Sequence, residues 1–92
     1  MQLRSATSVV RTLTGEALTP IRCTQPNMHM YLKQAREATG ILGIGLAAVD
    51  SAARRVNIKV PNRIDGSTLN NFITELSRAL DPRGQYGELR LR

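Results

Sequence analysis

The spacing of apolar residues predicts an α+β fold: a two-layer sandwich with two helices packed on one face of an antiparallel sheet. Three observations carry this prediction. Leu69, Phe72, Ile73, Leu76, Ala79 and Leu80 follow the i, i+3, i+4, i+7 template of an amphipathic helix. Val56, Ile58 and Val60 alternate with Arg55, Asn57 and Lys59, the pattern of a half-buried strand. Turn residues punctuate the chain at short intervals, and its 92 residues are read as one small basic domain.

The first segment, Ala6 to Leu13, is rich in Thr, Ser and Val and alternates weakly, which favours a strand. Thr14-Gly15-Glu16 reads as a turn. Ala17 to Thr24 is then expected either to return as an extra strand, making residues 1–25 an N-terminal hairpin, or to run as an irregular arm. Pro20 has no N–H for a ladder and confines such a strand to a sheet edge. Met28, Tyr31, Leu32, Ala35 and Ala38 fall at helical spacing over residues 27–39. Pro26 suits the opening turn, Thr24 or Asn27 the cap, and Gly40 the stop.

Residues 41–60 read as a hairpin. Ile41, Leu42, Ile44, Leu46 and Val49 are apolar on both parities, as in a strand buried on two faces. A helix would also hold this run, but Gly40, Gly43 and Gly45 would each cost a helix interior about 1 kcal/mol against alanine. Asp50-Ser51-Ala52-Ala53 supplies the turn into the alternating strand. Asn62 to Gly66 is a loop, and Ser67 is the expected cap of the second helix. Asp81-Pro82-Arg83-Gly84 ends that helix, because a residue before proline avoids the helical region. Leu89 and Leu91 alternate with charges, so Glu88 to Arg92 reads as a final strand. The resulting order, strand–helix–strand–strand–helix–strand, fits the βαββαβ arrangement of ferredoxin-like domains.

Thirteen Lys and Arg against seven Asp and Glu give a formal net charge of +6, and an apolar content of 41% supports a core rather than a disordered tail. The longest apolar run, residues 40–49, is ten residues long, well short of the roughly 20 that a membrane-spanning helix needs. Arg4 and Arg11 interrupt the N-terminus where a secretory leader would carry its apolar stretch. The single cysteine, Cys23, excludes an intramolecular disulfide and fits a reducing compartment. An intracellular, cytoplasmic location without a membrane partner is therefore expected.

The catalytic inventory is thin. Cys23 and His29 are the only residues of their kinds, and a structural zinc site needs four such ligands. As a nucleophile–base pair they have no third group nearby in sequence to orient them. The plainer reading makes Cys23 a small buried residue and His29 a surface residue of the first helix. Four of the seven carboxylates, Glu16, Asp50, Asp65 and Asp81, fall in expected turns. The glycines of Gly40-Ile41-Leu42-Gly43-Ile44-Gly45 have neither the spacing nor the strand-to-helix context of a dinucleotide fingerprint. Their GxxG spacing matches the loop of KH domains formally, but Ile41 and Leu42 look core-directed. No enzyme, no metal and no cofactor are expected.

The basic residues say more. Only Lys33 and Lys59 are lysines; the other eleven cations are arginines, whose planar fork suits phosphates. Arg54, Arg55, Lys59 and Arg63 fall within ten residues that contain no acid. On a strand, Arg55, Asn57 and Lys59 share the face opposite the apolar one. Arg90 and Arg92 extend that row if the last strand lies in the same sheet. With Tyr31, Phe72 and Tyr86 as the only aromatics, two of them in expected helices, no stacking platform for bases is visible.

Two functions compete. The first is a small non-catalytic module that binds nucleic acid, DNA or RNA, through Arg54, Arg55, Asn57, Lys59, Arg63, Arg90 and Arg92, chiefly at phosphates. The second is a protein-interaction, regulatory or assembly subunit that docks on a larger complex or forms a homo-oligomer through an edge strand. A solvated basic face that only maintains solubility is the ordinary alternative to the first.

Overall fold

A computed structural model describes residues 7–92. Ala6, the expected start of the first strand, lies outside the described residues, as does Arg4. The elements run β1 (Ser8–Thr14), α1 (Gln25–Thr39), β2 (Gly45–Asp50), β3 (Arg55–Pro61), α2 (Gly66–Leu80) and β4 (Arg90–Leu91). The four strands form one sheet in the order β2-β3-β1-β4, and every neighbouring pair is antiparallel. Two helices and this sheet make an α+β fold.

Strand parity and helical spacing converge on one core. Leu13 of β1 and Val56, Ile58 and Val60 of β3 point to the same side and are fully or almost fully buried. Met28, Leu32 and Ala35 of α1 join them, as do Leu69, Phe72, Ile73, Leu76 and Leu80 of α2. No helix among the described residues is long and apolar enough to cross a membrane.

Four local expectations need correction. Ala17–Thr24 does not return as a strand. Its N–H groups close local turns instead of joining a ladder, as with Leu18 to Gly15 O and Cys23 to Thr19 O. Residues 41–49 are not a strand buried on two faces. The strand begins only at Gly45, Leu42 is 86% exposed, and β2 is an edge with a bulge between Leu46 and Ala48. Gly43 explains the delay: its φ of 92° is not that of a strand, and a Cβ there would stand 2.9 Å from Pro61 Cγ. Ser67 does not cap α2. Asp65 does, accepting from the Thr68 N–H at 2.8 Å, because its carboxylate reaches the first turn and also gathers the Ser67 and Thr68 hydroxyls. Finally, β4 is shorter than Glu88–Arg92, since the Leu89 N–H is taken by the Ser77 hydroxyl at 3.0 Å instead of a ladder partner.

The first helix follows its signals. Thr24 caps it through its hydroxyl, which accepts from the Asn27 N–H, and Pro26 sits in the opening turn. Gly40 ends it at φ 72°, in the left-handed region that a side chain would resist.

Candidate nucleic-acid interface

Cross-strand register places the basic residues. Residues directly opposite in an antiparallel pair share a face, so Arg55 lies with Thr14 and Arg90, Asn57 with Thr12, and Lys59 with Val10. Arg92 keeps the parity of Arg90, and its N–H donates to Thr12 O at 2.8 Å. This face is opposite the core, and Arg55, Lys59, Arg90 and Arg92 are all exposed on it.

The patch is small enough to act as one field. Arg55 and Lys59 are four residues apart on β3, about 13 Å at strand rise, and Arg90 stands two strand spacings from Arg55, about 10 Å. Both lengths are close to the screening length of roughly 8–10 Å near physiological salt. Asn57 is half-buried between the cations. Its Oδ1 accepts from the Thr12 hydroxyl at 2.9 Å, which leaves its amide N–H groups for a partner.

Two of the seven predicted residues stand apart. Arg54 sits in the β2–β3 turn at φ 55° and bridges to Glu16 at 3.6 Å. That pair is exposed and worth at most about 1 kcal/mol. Arg63 is exposed in the loop after β3, at the end of that strand remote from Arg54.

The stretch from Arg54 to Arg63 is free of acids only along the chain. The hairpin folds Asp50 back beside Arg55 in register, so one carboxylate stands on the same face. Its Oδ1 accepts from the Ala53 N–H at 3.1 Å, a bond that shapes the turn. Among the described strand residues of this face, Arg55, Lys59 and Arg90 therefore stand against one acid, and Arg92 follows directly after β4.

Arg11 shows the converse. Register puts it opposite Ile58 on the core side, where its Nε donates to Arg92 O at 2.6 Å. The Cys23 and His29 positions match the plain reading. Cys23 is buried, its Sγ lies 3.9 Å from the carbonyl oxygens of Asp50 and Arg55, and His29 is exposed on α1. Burial, with the Asp50 carboxylate adding, pushes the Cys23 thiol above its ordinary range and away from the reactive thiolate.

Sequence reasoning missed the neighbourhood of Tyr86. Asp81 is only 6% exposed, and its carboxylate accepts from the Tyr86 N–H at 2.8 Å and the Gln85 N–H at 2.9 Å. The Arg22 guanidinium lies 5.3 Å from the Tyr86 ring centroid, a cation–π contact. An Asp followed four and five residues later by polar N–H groups is a common turn pattern, but nothing in the sequence ties Arg22 to it.

Acid should loosen both capped carboxylates. Asp65 is held below the usual range chiefly by the Thr68 N–H, and Asp81 chiefly by the Tyr86 N–H, with burial opposing and the Gln85 N–H and Arg22 assisting. In acid the unfolded chain then binds more protons than the folded one. This contribution to stability is present well above the unfolded carboxylate value of about 3.9, and it is lost as pH falls through the lower folded values. Urea midpoints at pH 7 and pH 3 should differ, and an Asp65→Asn/Asp81→Asn variant should show a smaller difference. Equal pH dependence in the two proteins would mean that neither carboxylate contributes.

No family model matches the chain, and comparison with curated proteins and with solved structures finds no match.

Proposed function

We propose that the chain is a non-catalytic binding module that meets nucleic acid through phosphate-directed Arg and Lys on its uncovered sheet face. The observation that supports this reading is the gathering of Arg55, Lys59, Arg90 and Arg92 on one face, with Asp50 beside Arg55 and Glu88 in the notch next to Arg90. Arg55 and Lys59 come from β3, Arg90 from β4 and Arg92 from the residue after it, and no described helix covers them. A ferredoxin-like split β-α-β topology belongs to the same proposal. Its support is the strand order β2-β3-β1-β4, with one helix between β1 and β2 and another between β3 and β4. A reducing intracellular compartment suits the buried free thiol.

Phosphate contacts of this kind carry little sequence preference and release counterions on binding. Four contacts give a salt slope of about −2.8 for a single strand and about −3.6 for a duplex. Between 50 and 200 mM salt, affinity should therefore fall about 50-fold and about 150-fold respectively. Fluorescence anisotropy with mixed-sequence oligonucleotides at several salt concentrations tests this. Binding that is absent at 50 mM salt, or indifferent to salt, removes the proposal.

One observation favours a second reading, a protein-interaction subunit. β4 pairs with β1 only near its C-terminal end, so no described strand covers the outer edge of β1 from Ser8 to Val10. An extended segment of another protein could add there. Recovery of a stoichiometric protein partner that the variant Val10→Pro loses, with no oligonucleotide binding, would establish it instead.

A further inference from the structure

We infer that an open notch at one end of the basic face takes a single unpaired base, so that the module selects single-stranded over duplex nucleic acid. This rests on the basic-face reading above. The notch has a volume of about 410 Å³ and is lined by Thr14, Arg54, Tyr86, Glu88 and Arg90 among others. That is the small end of the range for ligand sites. Thr14 and Arg90 belong to the basic face as well, so the two surfaces are continuous.

The chemistry of the lining differs from that of the face. Arg54 and Arg90 are balanced by Glu16 and Glu88, so the notch has no net charge to hold a phosphate. It offers an aromatic ring with hydrogen-bond donors and acceptors of both kinds. That mixture complements a base edge, where a carboxylate accepts from an exocyclic amino group and a guanidinium donates to ring nitrogen or carbonyl oxygen. Tyr86 is 41% exposed and is already fixed, through Arg22 against its ring and Asp81 on its N–H, so little freedom is lost when a base stacks on it. A base within a duplex is paired and stacked and cannot enter. An unpaired base can, while its flanking phosphates lie along Arg55 and Lys59.

The test compares a fluorescein-labelled ten-nucleotide single strand of mixed sequence with the corresponding duplex. Tyr86→Ala should weaken single-strand binding about 5- to 160-fold, the range for loss of one stacked base. Duplex binding should stay within about twofold, and Tyr86→Phe should bind both like the parent. Equal loss on both ligands, or no loss on the single strand, overturns the notch and leaves the basic face standing. An Arg55→Glu/Lys59→Glu variant that binds like the parent removes the basic face, and the notch with it. Should Tyr86→Ala not fold, the variant Tyr31→Phe makes Tyr86 the only tyrosine in a chain without tryptophan. Quenching of its emission by the single strand and not by the duplex then upholds the inference, and unchanged emission overturns it.

Discussion

Phe72→Ala should remove a large share of the protein's stability. Phe72 is fully buried on α2 and belongs to the apolar cluster that joins both helices to β1 and β3. Truncating a core Phe to Ala costs about 3–5 kcal/mol, the lost transfer energy plus the cavity left behind. A domain of this size has only about 5–15 kcal/mol in total. Denaturant unfolding followed by circular dichroism should show a midpoint moved sharply down with an unchanged slope. A loss below about 1 kcal/mol would mean that the cluster collapses around the hole or packs differently from the arrangement described. Phe72→Leu, which keeps most of the volume, should recover most of the stability.

The second large effect concerns binding. Reversing both charges in Arg55→Glu/Lys59→Glu removes two of the four proposed phosphate contacts. For a single strand each contact carries a salt exponent of about 0.7, so simple loss of two amounts to about 25-fold at 0.1 M salt, and reversal adds repulsion. The weakening should be alike across sequences, and the salt slope should flatten by about 1.4 or more. Both side chains are exposed on the face opposite the core, so the unfolding midpoint should barely move. Lys33→Glu/Arg83→Glu is the matched control. It reverses two exposed charges outside the sheet, and a comparable loss there would show that net charge alone governs binding.

The fold class was legible because the apolar periods are unambiguous where they matter most. The helical stripe of α2 and the alternation of β3 each leave one reading open, and both lie in the core as expected. Residues 41–49 were not legible in the same way. Their apolar content suggests burial on two faces, yet the turn at Gly43 and the edge position of β2 leave Leu42 in solvent. Composition registers hydrophobicity; it does not register which strand lies at the edge.

The basic face was legible in its middle and not at its margins. Alternation along β3 assigned Arg55, Asn57 and Lys59 to one side without knowledge of the neighbours. Asp50 beside Arg55, and Arg11 on the opposite side from Arg92, are consequences of register, which pairs residues distant in the chain. The Arg22 contact with Tyr86 was hidden for the same reason, since Arg22 reaches the ring from a distant segment, whereas Asp81 is a local turn partner.

The central β1–β3 pairing also governs how quickly the chain finds its structure. Its paired residues lie between 41 and 53 positions apart in sequence, from Thr14–Arg55 to Ser8–Pro61. The entropy of closing that long loop must be met before the first ladder bond forms, whereas α1, α2 and the β2–β3 hairpin assemble from near neighbours. The helices and the hairpin are therefore the early structures, and docking of β1 into the gap beside β3 is the slow step. Until it docks, the apolar side of β3 stands open on one flank. Refolding at high protein concentration is then a competition between β1 of the same chain and an exposed strand of another.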